Sequence, residues 1–139
     1  MANWERIMDA YESWDIDSLA EEAHAQGDVF YDFALARLGN AEDADFLLLC
    51  AAVFFISTDD FFDGAEEDVF LGTFSSKSDY YAGLSDYKNG GEALLQRIWP
   101  YLPRNVLESL LRMGCCYFAA KGYMSEKERN VIRRFAAEL

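Results

Sequence analysis

Basic residues are scarce in the first half of this chain. Residues 1–76 hold two Lys/Arg against eighteen Asp/Glu, a net charge of −16. Residues 77–139 hold ten against seven, a net of +3, and the two halves together give the −13 of the whole 139-residue chain. That balance makes free nucleic acid and an anionic membrane surface poor partners, because both repel the chain as a whole. A basic protein surface or a cation is the partner that such a charge fits.

Histidine is scarcer still: His24 stands alone, in the polar segment EEAHAQ. One histidine supports neither a nucleophile–base relay nor a zinc site, which need close company. With no such pair to assemble, the chain reads as non-enzymatic. The three cysteines, Cys50, Cys115 and Cys116, lie in apolar runs and form no C-x-x-C pair. They read as buried thiols of a reducing compartment. The longest apolar run, Phe46 to Ile56, has eleven residues, short of the roughly 20 that span a bilayer. The amphipathic, charged start MANWERIMDAYE is unlike a signal peptide. The expected location is the cytoplasm. Gly90-Gly91 lacks the Lys-Ser/Thr of a phosphate loop, and no hairpin turn is flanked by alternating residues.

What is present is helical. The chain is 52% hydrophobic, enough for one folded domain over 1–139. Trp4, Ile7, Met8 and Tyr11 share one face of a first helix. Ser18 with Glu21 reads as a capping box, and Gly27-Asp28 as a break with a new cap. Gly39 should end the next helix in the left-handed conformation. Asn40 should cap a helix over roughly 41–57, apolar on every side and therefore buried. Asp63 with Glu66 signals another start, and a short helix is expected after Ser78. Glu92 to Trp99 stops at Pro100, Pro103 opens a long helix to about Lys121, and Ser125 with Glu128 caps the last. The expected fold is all-α, a compact single-domain bundle of seven or eight helices.

Two stretches share a design. In 41–74 and in about 106–139, an apolar helix leads through a loop to a capped amphipathic helix, and the caps Asp63 and Ser125 lie 62 residues apart. This reads as a duplicated helical hairpin. In the second unit, Gly114, Gly122, Met124, Ser125, Glu128, Arg133, Ala136 and Leu139 follow without a gap a pattern that resembles the TerB-like (tellurite-resistance TerB) family. Asp59, Phe62 and Glu66 or Glu67 take the corresponding places in the first. The resemblance covers half the chain. It implies an all-helical fold with an acidic metal site and a role in stress or defence rather than a defined enzyme chemistry. Lys121 stands where the family has its turn aspartate, Tyr123 where an acid is common, and Asp60 replaces a glycine. A retained site would be built mainly from the first loop.

That loop, STDDFFDGAEED over residues 57–68, holds six carboxylates in twelve residues. It is not an EF-hand: counted from Asp59, Phe61 and Phe70 occupy positions that must supply oxygen. A looser set of Asp59, Asp60, Asp63 and Glu67 is the candidate ligand set for a divalent cation, calcium, magnesium, manganese or zinc, since a cation relieves crowded carboxylates. The competing reading is helix capping by Asp63, with Glu66, Glu67 and Asp68 complementing the dipole. A second candidate is a partner-binding surface: Trp14, Asp15, Asp17, Glu21, Glu22, Asp28, Tyr31 and Asp32 combine aromatics with acids, a mixture suited to a basic protein. Core packing competes for those aromatics. Two functions follow: a TerB-like binding protein with a cation in its acidic loop, or an immunity or anti-defence inhibitor whose acidic half covers a basic toxin or nuclease. Arg129, Arg133 and Arg134 read as a complement to the negative end of the last helix.

Overall fold

The computed structural model describes residues 3–59, 64–71, 74 and 77–139, with the backbone alone at Asp59 and residues 77–80. Among the described residues there are eight α-helices and no strand. The chain is all-α.

Helix α1 (Trp4–Glu12) starts where Asn3 Oδ1 accepts from the Arg6 N–H. It buries Met8 and Tyr11, with Trp4 and Ile7 packed beside them. Helix α2 (Ile16–Leu38) runs for 23 residues. Its cap is Asp15, which accepts from Ser18 N–H at 2.7 Å, so Ser18 lies inside the first turn and the expected Ser18–Glu21 box does not form. Nor does the helix break at Gly27-Asp28. Gly27 is buried mid-helix, and a Cβ there would sit 3.4 Å from Met113 Sδ and 3.5 Å from Leu48 Cδ1. The glycine serves close packing of α2 on its neighbours, and tertiary contact outweighs its poor helix propensity. Gly39 ends α2 at φ 83°, donating to Leu35 O, the left-handed stop that a side chain would strain.

Asn40 opens α3 (Ala41–Ile56), accepting from Asp43 N–H at 2.8 Å. Nine of its sixteen residues are buried. A 3-10 turn, Ser57–Asp59, follows. Helix α4 (Gly64–Leu71) buries Glu66, Val69 and Phe70; Asp63, the expected cap, lies outside the described residues. Helix α5 (Lys77–Asp86) joins α6 (Glu92–Ile98) through a kink over Tyr87–Gly91, where Asn89 and Gly90 leave helical geometry, Gly90 at φ 127°. Pro100 does not stop α6 outright; a 3-10 turn, Trp99–Tyr101, carries the chain on. Pro103 then caps α7 (Arg104–Ala119). In α8 (Glu126–Ala136) the expected box is complete: Glu128 N–H donates to Ser125 Oγ at 3.2 Å and Ser125 N–H to Glu128 Oε1 at 2.8 Å.

The core lies where α2 packs on α7, α3 and α4. Burial in α7 is as complete as in α3: Met113 through Ala119 are all buried. A Cβ on Gly114 would meet the Phe55 ring at 2.6 Å. A bare backbone at 114 therefore lets a ring of α3 lie flat against α7, and Phe55 in turn meets Phe118 edge-on at 5.8 Å. Cys50, Cys115 and Cys116 are buried free thiols. Burial, and then the Asp86 charge, pushes the Cys50 thiol up to about 11, and burial raises Cys115 and Cys116 further. No described helix is long and apolar enough to cross a membrane.

Candidate partner-binding face

Acidic residues on α1 and α2 meet different surroundings. On α1, Glu5, Asp9 and Glu12 stand at i, i+4 and i+7 and face α8. Arg129 reaches all three: Asp9 Oδ1 at 2.8 Å, Glu12 Oε1 at 2.5 Å and Glu5 Oε2 at 3.4 Å. Arg133 holds Glu5 from two nitrogens and adds Glu126 at 3.0 Å. The hydrogen bonds from Arg133 hold the Glu5 carboxyl below the usual range. Glu12 also accepts from Met124 N–H at 2.6 Å, fastening the turn before α8. Arg133 does lie in the last turn of its own helix, as the sequence suggested, but Arg129 does not, and the acids that both hold are on α1. The two arginines clamp α8 to α1. The signal was present in the two matched spacings, but nothing in the sequence says that α1 and α8 are neighbours.

On α2 the outward stripe is Asp17, Glu21, Asp28 and Asp32, all exposed. His24 lies among them, its Nε2 3.6 Å from Asp28 Oδ2. No Lys or Arg of the described residues forms an ion pair with any of these four acids. Asp15, at the head of the stripe, caps the helix, and the Ser18 N–H holds its carboxyl below the usual range.

The aromatics sort themselves by burial. Of Tyr11, Trp14, Phe30, Tyr31 and Phe33, only Trp14 is exposed, at 40%. Its ring meets Tyr11 edge-on at 4.7 Å. Tyr31 is half-buried against the core. Glu22 is also half-buried and turned inward: Tyr11 Oη donates to its Oε2 at 2.6 Å and Gln26 Nε2 to its Oε1 at 3.2 Å. Burial and the bond to Glu22 push the Tyr11 phenol far up, so it remains a donor. Arg112 approaches Tyr11 Oη at 3.4 Å and lies over the Trp4 ring at 5.6 Å. Tyr11, Trp14, Glu22 and Arg112 line a cavity of about 110 Å³. The outward face therefore comprises Trp14, Asp15, Asp17, Glu21, Asp28 and Asp32, while Glu22 and Tyr31 support it from beneath.

The acidic loop is only partly described. Asp60 and Asp63 lie outside the described residues, as does the Asp59 side chain; Glu67 is half-buried in the first turn of α4. Among the described residues no three His, Cys, Asp or Glu gather as metal ligands. At the corresponding place in the second hairpin, Lys121 Nζ lies 2.6 Å from the fully buried Glu128. There an ammonium of the chain itself neutralises the carboxylate. Glu66, three residues after Asp63 in the sequence as Glu128 is three after Ser125, is also fully buried.

No family model, curated protein or solved structure matches this chain.

Proposed function

We propose that this chain is a non-enzymatic binding protein that docks a basic protein surface through Trp14 and the outer face of α2. The observation that carries this reading is the contrast in pairing: the α1 acids are held by arginines, whereas Asp17, Glu21, Asp28 and Asp32 face outward with no Lys or Arg among the described residues. An acidic stripe headed by a ring held in place is the make-up of a steering surface with a hot spot. A basic toxin or nuclease, covered by an immunity or anti-defence inhibitor, is the partner class that fits. The test is a photo-crosslinker at Glu21, followed by identification of the captured protein and its association rate. A basic protein whose association slows as salt rises, and slows again with Trp14→Ala, is the expected result. Association that ignores ionic strength would overturn the reading.

The TerB-like scaffold draws support from two sixteen-residue buried helices, α3 and α7, each followed by a shorter helix carrying a buried glutamate. A divalent cation on Asp59, Asp60, Asp63 and Glu67 is the function attached to that scaffold. Calorimetric titration with calcium, magnesium, manganese and zinc, beside an Asp59→Ala/Asp63→Ala variant, tests it: heat of binding that survives the variant removes the site.

A further inference from the structure

A second concave surface lies away from the α2 face. Phe54 of α3, Trp99 after α6 and Phe135 of α8 form an aromatic cluster, with Trp99 and Phe135 at 4.5 Å and Phe54 at 6.0 and 5.9 Å from them. They line a cleft of about 310 Å³ together with Tyr87, Glu92 and Arg134, within the size range of small-molecule sites.

Three features set this cleft apart from an ordinary surface dent. The first is Arg134, which stacks on Phe135 at 4.6 Å and forms no ion pair with the described residues, although Arg129 and Arg133 of the same helix hold acids. The second is Trp99 Nε1, a buried donor that meets no acceptor among the described residues, an arrangement that normally costs stability. The third is the kinked turn Tyr87–Gly91 between α5 and α6, where Asn89 and Gly90 (φ 127°) leave helical geometry and Tyr87 and Glu92 stand on the cleft wall. Tyr87 opens that turn and Glu92 follows it. Burial, and then the Glu92 charge, pushes the Tyr87 phenol up to about 12, so it stands as a neutral donor.

We infer that this cleft binds a small ring-bearing monocarboxylate, its apolar body among Phe54, Trp99 and Phe135 and its carboxylate on Arg134. A flat body suits three rings set edge-to-face and tilted. A single carboxylate suits a guanidinium that has no acid of its own. Glu92 on the same wall disfavours a second negative charge.

The probes are 1-naphthoate and its neutral analogue 1-naphthalenemethanol, titrated into the full chain and followed by proton–nitrogen NMR. Naphthoate should give saturable shifts at the cleft, including the Trp99 indole N–H. It should bind about tenfold more tightly than the alcohol, the gain of one charge-assisted contact. Arg134→Gln, an exposed change that leaves the fold intact, should abolish that preference and leave alcohol binding intact. Glu92→Gln should strengthen naphthoate binding. Equal binding of the two probes, an unchanged preference in Arg134→Gln, or the absence of shifts at the cleft would each overturn the assignment.

Discussion

Glu5, Asp9 and Glu12 line one face of α1 as Asp17, Glu21, Asp28 and Asp32 line one face of α2, yet among the described residues only the first set meets arginines. The difference lies in what packs alongside. Helix α8 runs against α1 and presents Arg129 and Arg133 at i and i+4. Among the described residues the outer side of α2 has no such neighbour, because α2 spends its other faces on α7, α3 and α4. Equal acidity thus serves two purposes: closing the fold on one helix and remaining free on the other. Net charge alone would assign both to a partner.

The largest effect that sharpens this contrast should come from Lys121→Met. It leaves the fully buried Glu128 without its cation, and breaking a buried pair from one side typically costs about 3 kcal/mol or more. Adding Glu128→Gln should recover part of that loss in denaturant unfolding; no loss in the single variant would show that the pair is not structural. Arg129→Ala should come next, at about 1–2 kcal/mol, since it strands three acids around a side chain only 13% exposed. An unchanged unfolding midpoint would break the distinction between the two faces.

Acid pH separates the faces further. The Glu5 carboxyl is held low by Arg133, so its contribution is fully present above the unfolded value, roughly 4.3. It is lost as pH falls through the lower folded value. Arg133→Met should therefore cost stability at neutral pH and make the acid limb of a stability–pH curve shallower. A curve parallel to that of the parent chain would count against the clamp. The smallest effect belongs to α2: Asp17→Asn, Glu21→Gln, Asp28→Asn and Asp32→Asn together should move stability by no more than about 0.5 kcal/mol. The same four changes should sharply reduce association with a basic partner. A large destabilisation would mean that the stripe is structural after all.

Local chemistry made much of the fold legible. Gly39, Asn40, Pro103 and the Ser125–Glu128 box act within one turn of chain, so their roles could be read without neighbours. Gly27 misled for the opposite reason: its signal is that of a break, but Met113 and Leu48 make it a packing position. Ser18 misled because a better cap, Asp15, lay three residues earlier. At the candidate face, the acids of α2 were legible from composition and spacing. That Trp14 is exposed while Phe30 is buried was not, since both stand beside acids in the sequence. The aromatic cleft was invisible, because Phe54, Trp99 and Phe135 come from distant parts of the chain.

By itself the sequence determined the helical class, most helix ends, the buried thiols and the imbalance of charge, all of which depend on residue type and short-range spacing. Tertiary structure alone decided which acids are spent. A carboxylate's role is set by the cation that packing brings within a few ångströms, and here that contact spans more than a hundred residues of chain, from Glu5 to Arg133 and from Glu12 to Arg129.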